Sequence, residues 1–221
     1  MLALKRIRLS ADARAHIPIR MIRLYDYLNS GNSYKARLIL KLTARPYQLV
    51  PIDIFHGQSR TPEFLAKNPN GRIPLLEYPD GRRLAESNAI LWHLAEGTPY
   101  LPSDPWQRAL VMQWLCFEQY SHEPNIATVR GWLRHSEITD AKRALIEQKR
   151  ALGYAALGVM ESELACHRYF GGSEFSIADI ALYAYTHVAH EGGFELGAYP
   201  AVNAWLERCF QHVGAWPITL G

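Results

Sequence analysis

Residues 22–52 read IRLYDYLNSGNSYKARLILKLTARPYQLVPI, and this stretch decides the fold of the first third of the chain. Ile22 to Tyr27 alternates and is rich in β-formers, the pattern of a strand. Tyr34, Leu38, Ile39 and Leu42 then fall on one helical face, and Tyr47 to Ile52 reads as a second strand. Two strands joined by one amphipathic helix within about thirty residues form a parallel, right-handed βαβ unit. Between the first strand and the helix lies Leu28-Asn29-Ser30-Gly31-Asn32-Ser33, a polar loop feeding a helix start.

Working outward, Pro62 to Ala66 is a short helix. Ile73-Pro74-Leu75-Leu76-Glu77 and Arg83-Leu84 flank Tyr78-Pro79-Asp80-Gly81, a hairpin turn with Pro and Gly at favourable positions. A helix from Ser87 to Ala95 completes a βαβαββα order. Gly97 to Pro105 carries three prolines and reads as a linker. Every long segment beyond it is helical. Trp106 to Tyr120 is one helix, and Ala141 to Cys166 is another, with Leu145, Leu152, Val159, Met160 and Leu164 near heptad spacing. Ser176 and Asp179 form a capping pair for a helix running to about His190. Val202, Trp205, Leu206, Cys209 and Phe210 line one face of a last helix opened by Pro200. The expected organisation is a leader over residues 1–20, an α/β domain over 21–97, a linker over 98–105 and an all-α domain over 106–221.

Composition narrows the function classes. With 221 residues, 48% of them hydrophobic, the chain can build one or two cores without disulfides or metals. The net charge of +3 comes from the leader, where Lys5, Arg6, Arg8, Arg14 and Arg20 outweigh Asp12. No later stripe of Lys and Arg with interleaved aromatics suggests nucleic acid as a partner. The leader lacks the apolar core of a secretory signal, and no run reaches the roughly 18 apolar residues of a membrane span. It reads as a disordered extension, as a start placed upstream of Met21, or as a weak organellar presequence. Cys116, Cys166 and Cys209 are widely spaced and form no CxxC pair, which fits free thiols in a reducing, cytoplasmic setting. Each lies in an apolar helical pattern and is expected to be a small buried hydrophobe. No His/Cys spacing suggests a metal.

Three local signals carry chemistry. In the first loop, a hydroxyl at a helix N-terminus can donate to an anion while backbone amides assist, although Asn32 or Ser33 could equally be a simple cap. In Asn68-Pro69-Asn70-Gly71-Arg72-Ile73-Pro74, a proline opens a strand; in cis it would turn the residue before it toward an extended ligand, and in trans it is an ordinary strand start. In Ala85-Glu86-Ser87-Asn88-Ala89-Ile90, an acid and a hydroxyl meet at a helix start, with Ser87 the natural cap.

The runs LYDYLNSGNSYKARLIL, NPNGRIPLL and ESNAILWHL, in this order and at these separations, resemble the glutathione-site half of a serine-type, zeta- or theta-like glutathione transferase. Phe175-Ser176-Ile177-Ala178-Asp179 resembles the capping box of that family's helical domain. The resemblance implies a thioredoxin-like domain followed by an all-helical domain, glutathione as co-substrate, a small hydrophobic electrophile, and a homodimer. It implies that Ser30 hydrogen-bonds the glutathione sulfur, with Ser33 and then Asn32 as alternatives; Tyr27 sits too early for that role. Ile73, before a cis Pro74, would pair its backbone with the cysteinyl unit by strand addition. Glu86 and Ser87 would hold the γ-glutamyl end, and Arg72, with Gln58 or His56, the glycyl carboxylate. Gly31-Asn32 stands where zeta-like members have a serine and a cysteine, a departure that counts against isomerase-type chemistry. Trp114, Phe117, Tyr120 and Trp132 are candidate walls for the electrophile's pocket. A thiol-disulfide reductase or peroxidase, and a non-catalytic glutathione-binding scaffold, are the rival readings.

Overall fold

The structure, a computed structural model, describes residues 21–220. The leader therefore lies outside the described residues.

Strand β1 (Ile22–Asp26) leads through the polar loop into α1 (Gly31–Leu42), and β2 (Tyr47–Pro51) returns beside β1 in parallel, with Ile22 opposite Tyr47. A 3-10 turn (Gln58–Arg60) and the short α2 (Pro62–Leu65) follow. The hairpin of β3 (Leu75–Glu77) and β4 (Arg83–Ala85) then adds antiparallel to β1, with Leu24 opposite Leu76, and the sheet order is β2-β1-β3-β4. Helix α3 (Ser87–Ala95) completes the thioredoxin-like arrangement expected from the periodicity. Leu24, Leu38, Leu76 and Ile90 are buried under α1 and α3, and Tyr25, Phe64 and Leu75 pack on the opposite sheet face.

The helical half begins at α4 (Pro105–Phe117), which does not stop near Tyr120. A π turn (Glu118–His122) carries it into α5 (Glu123–His135), and this widened turn buries Glu118 and His122. Helix α6 (Asp140–Cys166) follows. Its heptad row is a correction to the sequence reading. Leu145, Leu152 and Val159 are each about half exposed, while Ile146, Gly153, Ala156, Leu157, Met160 and Leu164 face the core. Two neighbouring rows share the seven-residue spacing, and the one flanked by small Gly153 and Ala156 lets the other helices approach. Helix α7 (Ile177–Thr186) ends sooner than expected, because the chain breaks into a 3-10 turn (Ala189–Gly192) and then Gly193 at φ 73°. Helix α8 (Pro200–Val213) closes the domain. Of the cysteines only Cys209 is buried; Cys116 and Cys166 are exposed, which corrects the expectation for both.

Helix α1 joins the halves, packing between α3 and α7. Fully buried Arg37 donates from Nη2 to Leu28 O and Ile218 O, both at 2.7 Å, and from Nη1 to Leu220 O. Its Nε lies 3.3 Å from Asp26 Oδ2, where burial raises the carboxyl above its usual range and the guanidinium opposes that rise. Lys41 Nζ donates to Val213 O at 2.7 Å and sits over the Trp216 ring.

Candidate active site

The loop after β1 ends on Ser30, which takes the N-cap position of α1 with extended backbone (φ −81°, ψ 122°). Its Oγ accepts from Ser33 N–H at 3.3 Å, so the serine's own hydrogen is left to donate elsewhere. The cap is thus Ser30 itself, and not Asn32 or Ser33. Ser33 is fully buried beside Asp26. Asn32 is a bridge: its Nδ2 donates to Glu123 Oε1 at 3.1 Å, and its Oδ1 accepts from Ser87 Oγ at 3.2 Å. Tyr27 turns its ring toward Phe55 and His135.

Two hollows sharing Asn32, Arg72 and Ile73 meet at this helix mouth. The larger, about 320 Å³, is lined by Ser30, Ile54, Ser59, Arg60, Gly71 and Tyr185 as well. The smaller, about 50 Å³, adds Pro74, Glu86, Ser87, Gln119 and Glu123. The floor between them is the turn built from Asn68-Pro69-Asn70-Gly71. Asn68 is nearly buried, accepts from Asn70 N–H at 3.2 Å and donates to Arg72 O at 2.8 Å. Gly71 has φ +61°, and a Cβ there would lie 2.9 Å from Ser59 O, so both conformation and space demand glycine. The Ile73–Pro74 bond is cis.

Across the hollow, Glu86 stands at the N-cap of α3 with φ 68° and ψ 116°, and its side chain makes no cap bond. A non-glycine residue so placed costs about 1–3 kcal/mol, and such outliers cluster at functional sites. Ser87 is the first helical residue and not the cap, a correction; its hydroxyl donates to Asn32 instead. Beneath it lies a buried ion pair, Lys35 Nζ to Glu118 Oε1 at 2.8 Å, with Lys35 also 3.4 Å from Ser87 Oγ and Asn88 Nδ2 donating to Glu118 at 3.1 Å. Burial, reinforced by Glu118, raises the Glu123 carboxyl above its usual range; Lys35, Asn32 and Arg72 pull the other way.

The geometry brings Ser30, Arg72, Ile73, Pro74, Glu86 and Ser87 around two adjoining hollows, Ser30 on the larger and Pro74, Glu86 and Ser87 on the smaller, with Arg72 and Ile73 on both. Gln58 is turned back on its own loop, its Oε1 accepting from Asp53 N–H at 2.7 Å, and the lining at that end comes from Ser59 and Arg60. His56 is likewise tied to Asp53. Trp114 is core, packed 4.6 Å from Phe170, and Tyr120 is 88% exposed, so neither walls the hollow as expected; Phe117 and Trp132 pack against the core. Glu123, Gln119 and Tyr185 were not singled out from sequence. All three come from the helical half, and the one local trace of them is Gly31, a poor helix former in a first turn, which marks a close neighbour. Chemically, the arrangement offers a hydroxyl at a helix N-terminus in the middle, an acid and a hydroxyl on one side, and cationic Arg72 and Arg60 on the other. That suits an extended ligand with a central anion, an amino-acid end and a second carboxylate. Among the described residues no group of His, Cys, Asp or Glu could hold a metal ion, and no helix is long and apolar enough to cross a membrane.

Comparison with known proteins shows the family. The sequence model of the glutathione S-transferase N-terminal domain matches residues 21–96, and that of the C-terminal domain matches 143–208. The chain is 32% identical over 192 residues to maleylacetoacetate isomerase of Rhizobium meliloti (strain 1021), covering 84% of this chain and 90% of the relative. It is 31% identical over 195 residues to the disulfide-bond oxidoreductase YfcG of Escherichia coli (strain K12), covering 85% and 89%. A crystal structure of a glutathione S-transferase from Pseudomonas fluorescens Pf-5 superposes with a TM-score of 0.85 at 47% identity, covering 91% of this chain and 98% of the other. The open helix mouth, the strained acid opposite it and these matches lead to one conclusion: the chain belongs to the glutathione S-transferase family.

Proposed function

We propose that this protein binds glutathione and activates its thiol as a thiolate for attack on a small hydrophobic electrophile. The observation that carries the reading is Ser30, whose hydroxyl lies at the N-terminus of α1, lines the hollow, and has its own hydrogen free. A free thiol with pKa about 8.5 is only about 3% ionised at pH 7. One hydrogen bond to the charged sulfur, about 1.5–3 kcal/mol, together with a helix-end contribution of about 0.3–1 kcal/mol, lowers that pKa by roughly two units. Thiolate then rises about 25-fold while nucleophilicity falls about 8-fold, a net gain near threefold. The remaining acceleration must come from holding the electrophile against the sulfur. In this reading Glu86 and Ser87 hold the γ-glutamyl end and Ile73 the cysteinyl unit. Arg72 meets the glycyl carboxylate, with Arg60 in the place first given to Gln58.

A homodimer fits the same picture. A mainly apolar groove of about 430 Å³, with Ala89 and Trp92 on α3 and Met112, Leu115 and Cys116 on α4, crosses the two halves on an outer face. A second reading, glutathione-dependent disulfide reduction, is favoured by the similarity to the Escherichia coli oxidoreductase. Retention on immobilised glutathione, followed by turnover of an aryl halide, a peroxide and a mixed disulfide, separates the readings. Aryl-halide turnover supports the transferase, disulfide turnover alone supports the reductase, and binding without turnover supports a scaffold. Failure to bind glutathione overturns all three.

A further inference from the structure

The wall that the helical half adds to the smaller hollow is made of acceptors. Gln119 lies on the π turn and Glu123 opens α5, and both line that hollow beside Glu86 and Ser87. The π register separates two acids that are close in sequence. Glu123 N–H bonds to Glu118 O, five residues back; Glu118 is sealed in its ion pair with Lys35, while Glu123 reaches the hollow. Glu118 Oε2 accepts from Gln119 Nε2–H at 2.9 Å, which commits that amide's nitrogen and leaves its carbonyl oxygen. Glu123 Oε1 accepts from Asn32 Nδ2–H at 3.1 Å, and Glu86 Oε1 from Asn70 Nδ2–H at 3.4 Å. Among the described residues no donor engages Gln119 Oε1, Glu123 Oε2 or Glu86 Oε2.

Building on the glutathione reading above, we propose that Gln119 and Glu123 are specificity-determining residues: with Glu86 they form a three-acceptor seat for the free α-ammonium of the γ-glutamyl end. An ammonium offers three hydrogens and accepts none, so three uncommitted oxygens match it in number and kind. Two of those oxygens belong to carboxylates, whose bonds to a cation are the stronger sort. Lys35 and Glu118 cancel each other beneath the hollow, and Arg72 is the one cation among its lining residues. Without an ammonium, two carboxylates therefore share a space of about 50 Å³ with a single counter-charge. The substrate class selected is a thiol whose γ-glutamyl unit keeps its primary amine. A des-amino thiol leaves the seat's acceptors without a partner.

The test compares S-methylglutathione with its des-amino analogue, S-methyl-N-glutaryl-cysteinylglycine, by titration calorimetry on the full chain. The blocked sulfur keeps thiol ionisation out of the readout. Wild type is expected to bind the amine-bearing ligand about 30-fold more tightly, or better. Glu123→Gln keeps the size of the side chain and an acceptor for Asn32, and should cut that preference about tenfold while the des-amino analogue binds as before. Gln119→Met, at an exposed position, should cut it about threefold. Equal affinities in wild type overturn the seat. An unchanged preference in Glu123→Gln also overturns it and leaves Glu86 as the acceptor, and an equal loss for both ligands makes the role of Glu123 structural. Failure of wild type to bind either ligand overturns the reading beneath as well.

Discussion

The starts of α7 and α3 use the same two residue types, an acid and a serine, to opposite ends. At α7 the serine comes first and the acid three residues later, so the carboxylate reaches back over one turn. Asp179 accepts from Ser176 N–H at 2.9 Å, Phe170 N–H at 3.0 Å and Trp205 Nε1–H at 2.8 Å, and Ser176 Oγ accepts from Ala178 N–H. Both residues are buried and committed within the protein. At α3 the acid comes first and the serine follows directly, a spacing from which no carboxylate can reach back. Glu86 is held at φ 68° with its carboxylate exposed, and Ser87 is turned sideways to Asn32. One spacing closes a helix end for the fold; the other leaves it open.

The largest expected break falls on the closed end. Asp179→Ala strands three buried donors and should cost about 3–5 kcal/mol, read as a fall of roughly 10 °C in Tm. If glutathione binding is lost without that fall, the two ends are not functionally separate. The other end of α7 is closed by neutral imidazoles: His122 Nε2–H donates to Thr186 Oγ1 at 2.9 Å, and His187 caps the helix through Tyr183 O. Burial lowers each to about 4. Because the unfolded chain binds these protons near pH 6.5 and the native state does not, stability is complete above pH 6.5. It is lost as pH falls toward 4, by about 3 kcal/mol per histidine. Melting curves at pH 7.5 and 5, compared between wild type and His187→Gln because the Asp179 carboxyl, raised by burial to about 7, acts in the opposite sense, check the direction; an identical pH response in the variant would mean that His187 is not held neutral.

At the open ends the effects should be smaller in stability and larger in chemistry. Ser30→Ala should raise the bound thiol pKa by about 1–2 units while costing only about 1 kcal/mol of helix capping. The smallest change sharpens the contrast most, because its sign is reversed. Glu86→Gly removes a strained residue and should stabilise the protein by about 1 kcal/mol while raising KM for glutathione about tenfold or more. A destabilised Glu86→Gly would show that φ 68° is not held against its preference.

What sequence could show follows from range. The βαβ unit, the hairpin and the Ser176/Asp179 box are patterns of neighbours, and periodicity with turn chemistry reveals them. Ser30, Glu86 and Ser87 were visible because each stands at a helix start. Tyr185 and Glu123 reach the hollows only because α7 packs against α1 and α5 against α7, a relation that no local spacing encodes. The same limit misassigned the row Leu145, Leu152 and Val159 and the aromatic Trp114: seven-residue spacing and aromatic character are shared by core and surface, and only packing decides between them.

Arg37 is one guanidinium shared by two distant places, the carbonyl of Leu28 just ahead of Ser30 and the carbonyls of Ile218 and Leu220 beyond the last helix. It works as a splint. In the βαβαββα half expressed by itself, Arg37 would keep its bond to Leu28 but lose Ile218 and Leu220, the partners that tie it to the helical half. Loosening the segment that carries Ile218 and Leu220 would therefore be felt at the loop ahead of α1.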